Sequence, residues 1–264
     1  MDERKLSTLH CLSIAASKKA GEVLLKMYGK HGGIEVKDGS IASIVTEADK
    51  RADKECIKVL KKGGIPIITE ESLGEGEWSE GFVYFVDPLD GTINYAMHNP
   101  FFCVSIGIAF NGRPVAGAIF NPVTKELFTA VLGRGALLNG RRISVSKNKD
   151  LSKTPVTFGY GYEKLMKKFA ISKYWEVSEQ ARHYFCPGAL ALQLCYVASG
   201  RNDCFFTNGY GGPWDICAGV AIAEEAGAVV GDFSGKEWRI GEKQVLATSS
   251  KEIFSKVSGI LRKR

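Results

Sequence analysis

The sequence predicts an α+β protein in which helices are layered on sheets, and three observations predict it. The chain opens with a long stretch of apolar residues at helical spacing. Its middle third is a succession of β-branched and aromatic runs punctuated by Asn-Gly pairs. Its last hundred or so residues alternate short helical and short extended patterns.

In order, residues 3 to 28 repeat Leu6, Leu9, Ala16, Ala20, Val23, Leu24 and Met27 on one helical face and stop at Gly29. A turn at Gly32 and Gly33 leads to the extended Ile34 to Lys37, a polar loop, and a second helix opening at Thr46. There Thr46 and Asp49 form a capping arrangement, which by itself accounts for Asp49. That helix carries Ala48, Ala52, Cys56, Val59 and Leu60 and ends at Gly63 and Gly64. Ile65 to Thr69 reads as a strand that runs into Glu70 and Glu71 before a Gly-rich acidic loop. The apolar run from Phe82 then breaks into Asp87, Pro88, Leu89, Asp90, Gly91 and Thr92, a tight exit from a buried strand.

From Phe102 to Ser146 the pattern is a mostly antiparallel sheet with turns at Asn111-Gly112, Asn121-Pro122 and Asn139-Gly140. The polar Lys147 to Thr154 reads as a linker, which divides the chain into lobes at 1–150 and 151–264. The second lobe is expected to run as a strand at Val156 to Phe158, a basic helix ending near Ala170, a helix from Pro187 to Ser199 and a strand from Asp203 to Phe206. A helix from Pro213 to Ala226, a strand from Ala228 to Val230, a strand from Val245 to Thr248 and a final helix from Lys251 follow.

At 264 residues, with 45% hydrophobic and 24% charged residues, the chain can bury a large core without staples. The net charge of +6 is spread in pairs such as Lys61 and Lys62, so a nucleic-acid surface is not expected. Seven cysteines without a CxxC, mostly inside apolar runs, point to free thiols in a reducing cytoplasm. No leader opens the chain, no apolar run approaches the roughly 18 residues of a membrane span, and four scattered histidines do not make a zinc site.

The acids carry the chemistry. Glu70 ends one strand, and Asp87 with Asp90 ends the next. If those strands are neighbours, the three carboxylates face each other across roughly 5 Å, and a cation must sit among them. A turn and helix cap would also use Asp87 and Asp90, and Asp215, after Pro213 and Trp214, would equally cap its helix. Oxygen-only ligands suit Mg²⁺ and argue against zinc or iron.

Glu70-Glu71-Ser72, the run Asp87-Pro88-Leu89-Asp90-Gly91-Thr92-Ile93-Asn94, and Trp214-Asp215 ahead of a small-residue helix resemble, in order and spacing, the inositol monophosphatase family. That family belongs to the magnesium-dependent, lithium-sensitive phosphatases that include fructose-1,6-bisphosphatases, and the match runs from about Lys37 to the final strand. The resemblance implies a layered αβαβα sandwich and a homodimer. It implies that Glu70, Asp87 and the Leu89 carbonyl hold one Mg²⁺. Asp90 would bridge to a second ion held with Asp215, and a weaker third ion would lean on Glu70. Gly91 and Thr92 would offer N–H groups to phosphate. The nucleophile would be a metal-activated water oriented by Thr92 and Glu70, with Asp49 bonded to the Thr92 hydroxyl. Lys37 matches a basic position near the active-site loop.

The chain departs from the animal inositol enzymes at Asn208, seven residues before Asp215, where they carry an inositol-binding glutamate. The segment bordering the sugar reads Gly188-Ala189-Leu190-Ala191, with Gln193 where an acid is common. Tyr160, Arg182 and Tyr210 would then contact a sugar or second phosphate, although Arg182 serves equally well as a surface residue. The expected activity is Mg²⁺-dependent hydrolysis of inositol 1-phosphate or related sugar phosphates, including fructose 1,6-bisphosphate. Rival readings are a 3′-phosphoadenosine 5′-phosphate phosphatase and a regulatory protein on the same fold that binds RNA or transcription machinery. A haloacid-dehalogenase-type aspartyl nucleophile is disfavoured, since two residues rather than one separate Asp87 and Asp90.

Overall fold

Asp2 starts the first helix by satisfying free backbone donors: its carboxylate accepts from the N–H groups of Arg4 at 2.9 Å and Lys5 at 3.1 Å. The structure is a computed structural model describing residues 1–29, 34–36, 44–71, 80–161 and 163–263. Helix α1 (Glu3–Met27) buries the stripe Leu6, Leu9, Ser13, Ala16, Ser17, Ala20, Gly21 and Leu24. Two tyrosine hydroxyls pin it from below: Tyr84 donates to the Leu9 carbonyl and Tyr95 to that of Leu24.

Strands β1 (Ile34–Val36) and β2 (Ile44–Thr46) form an antiparallel pair ahead of helix α2 (Glu47–Leu60). Thr46, expected to open this helix, is the last residue of β2. The helix begins at Glu47, and Asp49 lies buried in its first turn.

A seven-stranded sheet follows, built from β3 (Ile67–Thr69), β4 (Phe82–Asp90), β5 (Cys103–Phe110), β6 (Arg113–Asn121), β7 (Glu126–Val131), β8 (Ala136–Leu138) and β9 (Arg141–Arg142), in that order across the sheet. All neighbours are antiparallel except β3 and β4, which run parallel with Thr69 opposite Val86. The Asn111-Gly112 and Asn139-Gly140 turns take positive φ at both residues, the backbone that matches strand twist. The short helix α3 (Thr92–Ala96) leaves β4 through Gly91, whose φ is 92°.

Strand alternation divides this sheet between two layers. Tyr84, Val86, Val104, Ile106 and Ile108 face α1 and α2. Val83, Phe85 and Ala109 point the other way, to Cys217 and Trp214 of helix α6 (Pro213–Glu225). The second face is covered by α6 and α5 (Leu190–Ala198). These helices also cover one face of a five-stranded sheet of order β11 (His183–Phe185), β10 (Pro155–Gly159), β12 (Cys204–Thr207), β14 (Val245–Thr248), β13 (Val229–Gly231). Helices α4 (Lys164–Ser178) and α7 (Lys251–Leu261) pack on its outer face. The result is an αβαβα stack, as the family resemblance implied.

Glycines on the first sheet let α6 approach closely. A Cβ on Gly107 would lie 2.7 Å from Cys217 Sγ and 2.8 Å from Ala218 N, and one on Gly117 would lie 2.5 Å from the Ala218 carbonyl oxygen.

Three more expectations change. Helix α4 runs to Ser178 instead of ending near Ala170, because Tyr174 stacks on Phe158 with ring centroids 4.1 Å apart, Val177 is buried, and Lys173 buries its stem while its ammonium meets Glu176 at 2.7 Å. Strand β11 was not expected; it is an edge strand, largely exposed, and carries no apolar alternation. The polar segment after Ser146 is ordered by the Asp203 carboxylate, which accepts from Ser146 Oγ and, at 2.7 Å, from Asn148 Nδ2. No helix among the described residues is long and apolar enough to cross a membrane.

Candidate active site

The parallel pairing of β3 with β4 brings the first two acids together. The Glu70 N–H donates to the Val86 carbonyl at 3.1 Å, so Glu70 continues the ladder beside Asp87. Asp87 follows the same alternation as Val83 and Phe85 and therefore faces α6. Helix α6, seated against Gly107 and Gly117, delivers Asp215 from its first turn to the same point. One carboxylate oxygen from each of Glu70, Asp87 and Asp215 lies within 4.8 Å of the others.

At that separation each charged pair repels by about 3.5 kcal/mol for an effective dielectric near 20. Three such pairs sum to about 10 kcal/mol, comparable with the whole stability of a domain. The three cannot all be ionised without a counter-charge. The proton affinities of Asp87 and Asp215 carry the same message. Burial, then the charges of Glu70, Asp90 and Asp215, holds Asp87 well above the ordinary carboxylate range. Burial, then Glu70 and Asp90, does the same to Asp215, against N–H bonds from Gly211 at 2.7 Å and Gly212 at 3.3 Å. All donors in this set are hard oxygens, which fits Mg²⁺ or a similar hard divalent cation.

Asp90 stands slightly apart. The ladder between β4 and β5 shifts register between Asp87 and Asp90, turning Asp90 toward the second lobe. Its two oxygens accept N–H bonds from Leu190 at 3.0 Å and Ala191 at 2.8 Å, at the start of α5. Burial raises its pKa to about 7 in spite of those bonds. Gly91 makes the turn that follows: besides its positive φ, a Cβ there would lie 3.0 Å from both Ala189 Cβ and the Phe101 carbonyl oxygen. The Thr92 hydroxyl lies 3.1 Å from the Leu89 carbonyl oxygen and 3.3 Å from Asp49 Oδ1, the contact expected for Asp49.

These groups floor a cleft of about 300 Å³. Its lining is Glu70, Asp87, Leu89, Asp90, Gly91, Thr92 and Asp215, joined by Tyr160, Leu190 and Tyr210 and by Pro187 and Gly188. Three residues expected at the substrate are not part of the cleft lining. The Asn208 amide donates to the Met166 carbonyl at 3.1 Å. Arg182 is exposed, with its N–H on the Thr154 carbonyl. Ala189 is buried against Gly91. Lys37 lies outside the described residues.

Asn94, Cys186 and the glycines at 159, 161 and 211 line the cleft without having been singled out as site residues. For Asn94 a signal was present, since it closes the acid motif.

The sequence matches the profile described as "Inositol monophosphatase family" over residues 5–263. The chain belongs to the inositol monophosphatase family. Among relatives of this inositol monophosphatase family chain, inositol monophosphatase 2 of Solanum lycopersicum is 38% identical over 90% of this chain and 92% of its own. The Nus factor SuhB of Pasteurella multocida is 36% identical over 95% and 96%. The crystal structure of the extragenic suppressor protein suhB from Bartonella henselae superposes with a TM-score of 0.88 at 33% identity, covering 96% of this chain and 97% of that one. Like the family it belongs to, the chain is a phosphoric monoester hydrolase.

Proposed function

We propose that the chain is a Mg²⁺-dependent phosphatase of small phosphorylated polyols, hydrolysing inositol 1-phosphate and related sugar phosphates, with fructose 1,6-bisphosphate in its range. The convergence of Glu70, Asp87 and Asp215 within 4.8 Å on the cleft floor carries this reading. Glu70, Asp87, the Leu89 carbonyl, Asp90 and Asp215 would hold two or three ions. When bound, Mg²⁺ supplies positive charge among these acids, acidifies water and stabilises charge on the leaving oxygen.

The chain's own groups do the rest. The N–H groups of Gly91 and Thr92 bind and orient the phosphate oxygens. Asp49, anchored in α2, fixes the direction of the Thr92 hydroxyl, which with Glu70 orients the attacking water. Beyond the acids and Thr92, the wall of the cleft is largely glycine backbone, Tyr160, Leu190 and Tyr210. Such a wall supplies neutral donors and acceptors and an apolar surface, which suits a hydroxyl-bearing leaving group. The enzyme so read works in a reducing cytoplasm, consistent with its seven free cysteines, as a lithium-sensitive homodimer.

Phosphate release across inositol 1-phosphate, fructose 1,6-bisphosphate and adenosine 3′,5′-bisphosphate, with Mg²⁺ varied, tests the reading. Turnover of the adenosine compound alone, or turnover indifferent to chelation, would overturn it. The SuhB relative is named a Nus factor, so the same preparation is assayed for RNA binding.

A further inference from the structure

Part of the cleft lining belongs to a segment nearly a hundred residues after the acid motif in sequence, and one side chain of that motif holds it directly. Asn94, in α3, donates from Nδ2 to the Pro187 carbonyl at 2.8 Å and to the Phe101 carbonyl at 2.7 Å, and its Oδ1 accepts from Asn99 Nδ2 at 3.1 Å. Both amide hydrogens are spent on carbonyls, so it is held in one orientation. The backbone it grips is adapted to it. Gly188 has a φ of 104°, and a Cβ there would lie 2.5 Å from Asn94 Nδ2. Gln193 holds the same turn from behind, donating to the Gly188 carbonyl at 3.1 Å. Asp90 then takes the N–H groups of Leu190 and Ala191.

From these contacts we infer that Asn94 is a positioning residue for substrate selection. By clamping Pro187 and Gly188 to the start of α3, it sets the distance between the phosphate end of the cleft and the wall of Pro187, Gly188 and Leu190. A leaving group that bears several hydroxyls must match that distance. Asn94 needs no contact with the reacting atoms for this. The inference rests on the phosphatase reading of the cleft.

The test is Asn94→Ala in the full chain, assayed at saturating Mg²⁺ with inositol 1-phosphate and p-nitrophenyl phosphate. An aryl leaving group departs as a stabilised anion and asks less of the wall. For inositol 1-phosphate the KM rises at least about tenfold while kcat stays within about threefold, and the loss in kcat/KM is at least about fivefold smaller for the aryl ester. Backbone amides of 188–191 exchange faster, and the Mg²⁺ concentration at half-maximal thermal stabilisation stays within about twofold. Equal losses on the two substrates, a fall confined to kcat, or unchanged exchange would overturn the inference.

If Asn94→Ala does not fold, Asn94→Asp serves. It keeps the acceptor for Asn99, sets an oxygen against the Pro187 or Phe101 carbonyl, and is expected to split the substrates the same way. Gly188→Ala attacks the contact from the other side. Its methyl meets Nδ2 in the parent and has room in Asn94→Ala, so the double variant loses less than the sum of the single losses. Additive losses count against the clamp. A parent chain that releases no phosphate sinks the phosphatase reading and the inference with it. An active parent with the wrong split sinks only the inference.

Discussion

Adding one methyl group at Gly107 tests how the fold delivers its third acid. The Cβ of Gly107→Ala would lie 2.7 Å from Cys217 Sγ, 2.8 Å from Cys217 Cβ and 2.8 Å from Ala218 N, all on α6. Ordinary contacts of this kind lie near 3.5–4.0 Å, so the helix must retreat by roughly 0.7–1 Å or the strand must give way. Overpacking of this size costs about 1–3 kcal/mol. For a chain of this length that is a fall in Tm of about 2–6 °C, at roughly 2 °C per kcal/mol. Asp215 lies two residues before Cys217 and moves with the helix, so the carboxylate set opens. The Mg²⁺ concentration giving half-maximal stabilisation is then expected to rise about tenfold, or 1.4 kcal/mol of lost cation binding. The assay is thermal unfolding followed across a Mg²⁺ titration. Gly259→Ala is the control: Gly259 lies inside α7, nothing stands within 4 Å of its would-be Cβ, and the change should stabilise by about 0.5–1 kcal/mol. A Gly107→Ala protein with an unchanged Mg²⁺ midpoint and a Tm no lower than the control's would refute the idea that these glycines seat the acid.

Three further outcomes are expected. Asp90→Asn keeps the fold but abolishes Mg²⁺-dependent hydrolysis, and its amide turns a donor toward the N–H of Leu190 or Ala191; near-normal turnover would count against Asp90 as a cation ligand. Asp49→Asn lowers kcat by at least about tenfold and changes KM little, because a neutral amide oxygen holds the Thr92 hydroxyl less strongly than the carboxylate; an effect on KM alone would reduce Asp49 to a helix residue. Without divalent cation, stability falls as pH rises from about 4 to 7. The reason is that Asp90, raised from 3.8 to about 7, binds its proton in the folded chain over a range where the unfolded chain has lost it, with Asp87 and Asp215 shifted the same way. Three pK units on Asp90 correspond to roughly 4 kcal/mol. Mg²⁺ should remove most of that slope, and a pH-independent melting temperature in chelator would contradict the account.

Much of this molecule could be read locally. The stripe from Leu6 to Leu24, the Asn-Gly turns at 111 and 139, and the Pro213 start of α6 are signals a few residues long, set by side-chain period, positive φ and capping chemistry. Glu70, Asp87, Asp90 and Asp215 were legible for the same reason: each ends a strand or opens a helix with residue types that only a turn or a cation site explains. Elements with weak local signals were not legible. Strand β11 is exposed and three residues long, and the end of α4 depends on Tyr174 finding Phe158.

Only the tertiary structure decided what those acids face. The parallel register of β3 and β4 put Glu70 beside Asp87, and two glycines on β5 and β6 admitted α6 closely enough for Asp215 to join them. It also changed one expected role and supplied another. Asn208, which the family resemblance put at the substrate, donates to the Met166 carbonyl, while Asn94, for which no role was expected, crosses to Pro187. The reason is the same in each case. A spacing along the chain sets which face of its own element a residue occupies, whereas its partner across nearly a hundred residues is chosen by how closely two backbones pack, and that depends on both surfaces at once.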